Sequence, residues 1–270
     1  FIFVFFFLGL QLANAQVDLA TWSLSNDGIP MNVQPEVNAA EFGFSSGLTN
    51  QRFTPGLGAE ATSWSVNDGL TEYYQIAISP QPGDNLNIQN LSFSHSEIDQ
   101  LLLFGIIRVG GPQYFSVRYS KDPDFSTFTT LINSGNTGVN VAESRSINQT
   151  VADGETLYIR FYGTNSQSFF GLTGFWVIDE NTLRITGTVE RCGATTTWTS
   201  SGWNNGAPNL NTRVNLNASY NALTNGSFQS CDLEIGPGRT LTIAPGNTVT
   251  VKEYVSVSPT GNIVREDGGS

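Results

Sequence analysis

The stretch "GRTLTIAPGNTVTVKEYVSV" (residues 238–257) repeats a short unit in which two apolar residues flank one polar residue. Successive side chains of a β-strand point to opposite faces, so each triplet sends both apolar side chains to one side. Stacked triplets of this kind bury one continuous apolar column, and each rung depends on its neighbours. The stretch therefore predicts a β-solenoid. A sandwich of short hairpins would give similar spacing and is the alternative.

The triplets extend beyond this stretch at intervals of six to eight residues. They begin at Leu233, Leu241, Val249, Val255 and Ile263. We expect a turn after each triplet to bring the next one back beside it. No polar capping rung follows the last triplet, and an uncapped stack leaves an exposed edge. We therefore expect residues 188–270 to hold a Trp/Thr/Asn-rich segment and the first rungs of a β-solenoid that is C-terminally truncated.

Residues 16–187 carry dense strand signals and almost no helical periodicity. Apolar residues alternate with polar ones along residues 73–80, 113–122 and 156–165. Residues 95–107 read as a strand, a short loop and a second strand. Short alternating segments separated by Gly, Pro and Asn turns are typical of a sandwich. The predicted fold is all-β: a jelly-roll β-sandwich followed by the start of a β-solenoid that resembles a parallel β-helix.

The N-terminus and the cysteines indicate an exported chain. An apolar run is followed by Ala13-Asn14-Ala15, the pattern of a secretory signal peptide, here predicted over residues 1–15 and N-terminally truncated. No other stretch approaches the length of a transmembrane segment. In a secreted chain, the two cysteines predict a disulfide between Cys192 and Cys231. Two buried free thiols are the alternative.

The charge balance limits the possible partners. The formal net charge is −11, with only 12 Lys and Arg residues in 270. Phosphate backbones require clustered basic side chains, so we expect no nucleic acid to bind through this segment. Anionic lipid is disfavoured for the same reason.

Residues 192–264 resemble a segment of large secreted and surface proteins of Bacteroidetes-type bacteria. The resemblance rests on two spaced tryptophans, an Asn-Gly-x-Pro turn, a tyrosine, a Gly-Ser-Phe element and the apolar triplets. These are Trp198, Trp203, Asn205, Gly206, Pro208, Tyr220, Gly226, Ser227, Phe228, Cys231, Leu233, Ile235 and residues 241–251. The resemblance implies export by the type IX secretion machinery, a location at the outer cell surface and a scaffold role for the repeats. Trp198 and Trp203 are expected to cap the first rung.

Residues 20–187 resemble a jelly-roll module that is often found beside such segments. The resemblance is carried by "LSFSHSEI", "FSVRYSKDPDFSTFTTL", "ETLYIRFYG" and "GFWVIDENTLRITGTV". Modules of this kind often look like carbohydrate-binding modules, which implies an extracellular glycan as ligand.

Residues suited to catalysis are scarce. The single histidine, His95, lies in an alternating strand, and no Gly-x-Ser-x-Gly element is present. Most carboxylates lie beside turn residues, where they stabilise the turn. Asp179 precedes the last sandwich strand and is a candidate ligand for a structural Ca²⁺. A turn or edge role is its alternative. We therefore predict a non-catalytic chain.

Two strands offer a candidate ligand face. Tyr114 and Arg118 share one face of their strand, and Tyr158, Arg160 and Tyr162 share one face of another. If both strands belong to one sheet, these side chains form an aromatic and cationic surface suited to sugar; an ordinary solvated face is the alternative. Further aromatic candidates are Trp64, Tyr73, Tyr74, Tyr119 and Trp176.

Together these features predict a secreted or cell-surface, adhesin-like, non-catalytic fragment that binds glycan through the sandwich. Two alternatives remain: an accessory module of a longer extracellular hydrolase that degrades polysaccharide or nucleic acid, with its catalytic domain outside this sequence, or a purely structural surface spacer.

Overall fold

The computed structural model describes residues 16–67 and 69–268, which are 55% strand and 2% helix. They form a β-sandwich followed by a β-solenoid of about three turns, as the sequence predicts. The predicted signal peptide, residues 1–15, lies outside the described residues. Among the described residues, no helix has the length and apolar character needed to cross a membrane.

The sandwich contains eighteen strands among the described residues. They are β1 (Val17–Trp22), β2 (Pro30–Met31), β3 (Val37–Ala39), β4 (Gly43–Phe44), β5 (Thr49–Thr54), β6 (Gly58–Thr62), β7 (Tyr73–Pro80), β8 (Asp84–Ile98), β9 (Gln100–Leu102), β10 (Ile107–Val109), β11 (Tyr114–Ser120), β12 (Thr129–Asn136), β13 (Val141–Val151), β14 (Leu157–Thr164), β15 (Ser168–Phe169), β16 (Leu172–Thr173), β17 (Phe175–Asp179) and β18 (Leu183–Arg191).

The first sheet is organised around β8, the longest strand. Its order is β2-β1-β18-β8-β17-β6-β5, and β13 pairs with β8 on its other edge. Both β17 and β18 pair with β8, at residues 95–98 and 84–92 respectively. The short hairpins β9–β10 and β15–β16 lie outside both large sheets.

The predicted strand, loop and strand over residues 95–107 are confirmed, because the end of β8 and β9 are followed by a turn and then by β10.

The second sheet has the order β12-β11-β14-β7-β3, with β4 also paired to β7. All pairings in the two large sheets are antiparallel, which lets one face of each sheet pack against the other while the opposite face stays outside. Tyr74, Ile76 and Ile78 of β7 and Ile159 and Phe161 of β14 point into the shared core. Their neighbours along each strand consequently point outward.

The solenoid follows directly from β18. Its elements are β19 (Ala194–Thr199), β20 (Gly202–Trp203), β21 (Thr212–Leu216), β22 (Tyr220–Asn221), α1 (Ala222–Asn225), β23 (Phe228–Ser230), β24 (Leu233–Ile235), β25 (Thr240–Ile243), β26 (Val249–Val251), β27 (Val255–Val257) and β28 (Asn262–Arg265). Pairing of β18 with the sandwich continues to Arg191, four residues past the expected boundary at 187.

The solenoid has three parallel faces, formed by β19-β21-β24-β27, β22-β25-β28 and β23-β26. Leu233 pairs with Val255 and Leu241 with Ile263, each 22 residues further along the chain. The expectation that consecutive triplets lie side by side is therefore wrong. A turn sends each triplet to the next face, and only every third triplet returns to the same one.

The first coil of the solenoid is covered by two tryptophans. Trp198 and Trp203 pair across the β19–β20 hairpin, with ring centroids 5.0 Å apart. Trp198 also packs edge-on against Tyr220 at 4.8 Å, and Trp203 contacts Phe228 at 5.6 Å. Both tryptophans pack against the buried apolar column of the solenoid. The predicted capping role of these two residues is confirmed.

Contacts that join the solenoid to the sandwich include a disulfide and an ion pair. Cys192 and Cys231 form the predicted disulfide, across a sequence separation of 39 residues. The Lys252 ammonium lies 3.0 Å from the carboxylate of Asp84, a buried residue at the start of β8. Both links tie the first two coils to the end of the sandwich where β8 begins and β18 ends.

Candidate functional site

The outer surface of the second sheet brings the two predicted stripes together. Across the β11–β14 pair, Arg118 is opposite Arg160 and Ser116 is opposite Tyr162. Across β14–β7, Tyr162 is opposite Tyr73. These side chains alternate with residues of the sandwich core and therefore lie on the outer side. We call this surface the arginine face. It consists of Tyr73, Gln75, Tyr114, Arg118, Tyr158, Arg160 and Tyr162, with Phe125 and Phe128 from a loop.

Arg160 is held on all sides by this chain. Its Nε donates to Gln75 Oε1 at 2.7 Å, and its Nη2 donates to the Pro123 carbonyl at 2.8 Å. Its guanidinium lies 4.1 Å from the centre of the Tyr73 ring and 4.0 Å from that of Phe125. Such cation–π contacts stabilise a partly desolvated guanidinium. Arg160 therefore holds the face and the loop above it together.

Arg118 has a different environment. Its guanidinium stacks 4.3 Å from the Phe128 ring centre and 5.7 Å from that of Tyr162. Its Nε is buried without a hydrogen-bond partner. The described residues supply Arg118 with no carboxylate within ion-pair distance, although the side chain is only partly buried. Arg118 is thus a positioned cation whose Nη donors have no partner among the described residues.

The loop between β11 and β12, residues 121–128, lies against the arginine face. The Asp122 carboxylate accepts hydrogen bonds from the backbone amides of Asp124 and Ser126, at 3.0 and 2.9 Å. These bonds, with one from the Ser126 hydroxyl, lower the pKa of Asp122. The loop places Phe125, which is 9% exposed, over Arg160 and Phe128 over Arg118. Sequence reasoning missed both phenylalanines, although "KDPDFSTF" contains them.

The three predicted tyrosines differ in exposure. Tyr114 is 37% exposed at the start of β11 and Tyr158 is half-buried, whereas Tyr162 is only 4% exposed. The Tyr162 ring packs edge-on against Tyr73, 5.6 Å away, and burial raises its pKa. Tyr162 therefore supports the platform from within. Together with Phe128, which is 47% exposed, Tyr114 is an accessible aromatic surface for a ligand.

The other aromatic candidates lie in the core. Trp64, Tyr74, Tyr119 and Trp176 are buried between the two sheets, so their prediction as sugar-binding residues is wrong. Tyr74 donates from its hydroxyl to the Trp176 carbonyl at 2.5 Å. An aromatic residue in an alternating strand faces inward or outward according to register, and the sequence alone did not distinguish the two.

His95 is fully buried in the core of the sandwich. Its Nδ1 accepts from Trp176 Nε1 at 3.2 Å, and its Nε2 has no partner. Burial lowers its pKa to about 4. The ring centres of Phe115 and Trp176 lie 4.4 and 5.7 Å from that of His95. The predicted structural role of this residue is consistent with these contacts.

Asp179 lines an open cleft of about 500 Å³ beside the first sheet, together with Ser96, Glu97 and Asn140. One of its carboxylate oxygens, Oδ2, is buried without a partner, and desolvation raises its pKa. Desolvation also raises the pKa of Glu97. The role of Asp179 as a Ca²⁺ ligand stays a prediction.

One group of three potential metal ligands comes together within the described part of the chain. It comprises Cys192, Cys231 and Asp232, within 4.8 Å of one another. Because the two cysteines are disulfide-bonded, this group offers no thiolates to a metal.

Comparisons with known proteins find likeness in structure only. No family model and no curated protein matches the sequence. A mutant of a family 29 carbohydrate-binding module matches with 8% identity and a TM-score of 0.32, over 64% of this chain and 91% of the other. The N-terminal cellulose-binding domain of β-1,4-glucanase C from Cellulomonas fimi matches with 10% identity and a TM-score of 0.29, over 65% and 97%. TM-scores this low carry no argument about function, which therefore rests on this chain's own residues.

Proposed function

We propose that this chain is a secreted or cell-surface, non-catalytic protein whose arginine face binds a glycan. The observation that carries the proposal is the position of Arg118 beside the accessible ring of Phe128, 4.3 Å away. The Arg118 guanidinium lacks an ion-pair partner among the described residues, and Tyr114 exposes its ring on the same face of β11, four residues earlier in the strand. Flat rings contact the apolar C–H faces of sugars, and planar guanidinium donors bind their oxygens.

The platform is rigid before any ligand arrives. Arg160 is held by two hydrogen bonds and two rings, and the Asp122 carboxylate closes the loop above it. Sites whose side chains are already ordered lose less entropy on binding. This preorganisation favours a binding role for the face over an ordinary solvated surface.

The proposal of a non-catalytic role follows from the chemistry of the same face. Glycoside hydrolysis uses two carboxyl groups on either side of the scissile bond. Among the carboxylates near the face, Asp122 binds its own loop, and Glu155 pairs with Lys121 at 2.5 Å. The described face holds no histidine, since His95 lies in the core.

The proposed location rests on the sequence and on the disulfide. The apolar N-terminus ending in Ala13-Asn14-Ala15 is the pattern of an exported protein. The Cys192–Cys231 bond belongs to an oxidising compartment. The resemblance of residues 192–264 to surface proteins of Bacteroidetes-type bacteria supports export by the type IX machinery and an adhesin-like role.

A glycan array followed by pull-down with whole polysaccharides tests the proposal. We expect binding by the chain, weakened about tenfold by Tyr114→Ala, since the ring supplies contact area on the face. Tyr254→Ala is the matched control, because Tyr254 is 66% exposed on the solenoid, outside this face. Absence of binding on the array and in the pull-down would overturn the proposal and leave the structural spacer.

A further inference from the structure

We propose that the glycan is anionic and that its carboxylate or sulfate group binds at Arg118. This inference rests on the proposed function and adds the class of ligand. It starts from two neighbouring arginines on one face, Arg118 and Arg160, which make no ion pair among the described residues. Most of the chain's other basic side chains pair with carboxylates. The paired residues are Arg52, Arg108, Lys121, Arg145, Arg191, Arg213 and Lys252.

These two arginines lie directly opposite each other on adjacent strands. Arg118 and Arg160 are register partners in the β11–β14 pair. Like charges at opposing positions on adjacent strands repel each other. The aromatic rings around both guanidiniums compensate part of this repulsion. In a chain of net charge −11, such a positive pair is a local site for an anion.

The two arginines have different roles: Arg160 holds the loop in place, and Arg118 is the proposed binding residue. Arg160 uses two of its five N–H donors for Gln75 Oε1 and the Pro123 carbonyl. Arg118 makes no side-chain hydrogen bond to any described residue, and its Nε is buried without a partner. A guanidinium presents parallel N–H donors that match a carboxylate or a sulfate, and such charge-assisted bonds are stronger than those to neutral hydroxyls. The unused Nη donors of Arg118, as distinct from its buried Nε, therefore favour a charged oxygen over a sugar hydroxyl.

The acidic groups near this site do not replace such a ligand. Asp122 and Asp124 lie in the loop over the face, and Glu155 lies beside Lys121. The Asp122 carboxylate accepts from the loop's own amides, and Glu155 is neutralised by Lys121 at 2.5 Å. None of the three is within 4.0 Å of the Arg118 guanidinium, the distance that defines an ion pair. The anion that completes the site must therefore come from the ligand.

The experiment compares charged and uncharged forms of the same backbone. Polygalacturonate and its methyl ester test a carboxylate, and dextran sulfate and dextran test a sulfate ester. The intact chain is measured by affinity electrophoresis beside Arg118→Gln, Arg118→Lys and the control Arg184→Gln. Arg184 is exposed on the outer side of the first sheet, so this control removes the same charge from the opposite surface.

We expect at least one charged polymer to bind more tightly than its neutral counterpart, and this preference to fall about tenfold in Arg118→Gln. Arg118→Lys should restore part of it, because the charge remains and the planar fork is lost. Arg184→Gln should bind like the parent chain. Binding should weaken as salt is raised, since ionic strength screens charges at an exposed site.

Two results would overturn the inference. Equal binding of the charged and neutral polymers, or of neutral glycans alone, would exclude an anionic ligand and leave glycan binding intact. A preference that Arg184→Gln weakens as much as Arg118→Gln would show diffuse attraction instead of a site at Arg118. Failure of every glycan on the array and all four polymers to bind would overturn both this inference and the proposed function.

Discussion

Lys252 of the solenoid lies 3.0 Å from the buried carboxylate of Asp84 at the start of the longest sandwich strand. The Asp84 side chain is 3% exposed and the Lys252 side chain 25%. The described ion pairs give Asp84 no other cation. A carboxylate in this position depends on Lys252 for its charge balance, so the two parts of the chain are linked electrostatically as well as covalently.

We therefore expect Lys252→Met to lower the free energy of unfolding by about 2–3 kcal/mol. The estimate is below the range for fully buried pairs, because Lys252 keeps some solvent contact. The double variant Asp84→Asn, Lys252→Met should recover most of the loss, since it leaves no unpaired charge. Urea unfolding of the three chains measures both effects. Equal losses in the single and the double variant would contradict this account.

The disulfide should contribute a comparable amount. Cys192 and Cys231 are both buried and close a loop with a sequence separation of 39. In the chain-entropy description, a loop of this length stabilises the folded state by about 3–4 kcal/mol. We expect Cys192→Ala, Cys231→Ala to melt at a lower temperature than the parent. A reductant should lower the melting temperature of the parent and leave that of the double variant unchanged.

Arg160 is expected to order the loop at residues 121–128. Removing its guanidinium deletes the bond to the Pro123 carbonyl and the contact with Phe125. In Arg160→Gln, we expect faster amide hydrogen exchange in this loop and weaker glycan binding. Arg184→Gln is the control, because Arg184 lies on the outer side of the first sheet, away from this loop. Unchanged exchange in Arg160→Gln would show that the loop is held by Asp122 alone.

His95 should make the sandwich sensitive to acid. Burial lowers the pKa of His95 to about 4, below the unfolded value of 6.5. The unfolded chain therefore binds more protons between these values, and the free energy of unfolding falls as pH drops from about 6.5 to about 4. The full loss is roughly 3 kcal/mol. Glu97 and Asp179 contribute with the opposite sign at pH values above their ordinary pKa values of 4.5 and 3.8, because burial raises the pKa of each.

The variant His95→Phe tests this source of acid sensitivity. It fills the space among Phe93, Phe115 and Trp176 without a titrating group, although Trp176 Nε1 loses its acceptor. We expect a flatter dependence of unfolding free energy on pH between 6.5 and 4. An unchanged slope in denaturant titrations at several pH values would place the sensitivity elsewhere.

Local alternation was enough to predict the strands and which side chains share a face of each strand. Ser116, Arg118, Arg160 and Tyr162 alternate with core residues, and a single antiparallel register brings them together. The Cys192–Cys231 disulfide could be predicted because the sequence has the signs of export and contains an even number of cysteines. In these cases, the structural feature depends on the alternation of a few neighbouring residues or on the composition of the chain, and both can be read from the sequence.

Longer-range features could not be read in this way. The spacing of triplets is the same whether neighbours in sequence or every third triplet pair, so the 22-residue coil was missed. Phe125 and Phe128 lie in a loop, and only its fold over the sheet places them on Arg160 and Arg118. Trp176 faces the core because of register with β8, which local sequence does not specify.

The most direct test of the central claim locates the bound glycan on the molecule. Hydroxyl-radical footprinting, with and without the tightest-binding polysaccharide, reports the exposure of each aromatic ring. We predict protection of Tyr114 and Phe128, with Phe170 and Tyr254 unchanged as exposed references elsewhere. Protection of Phe170 or Tyr254 while Tyr114 and Phe128 stay fully reactive would contradict a ligand site on the arginine face.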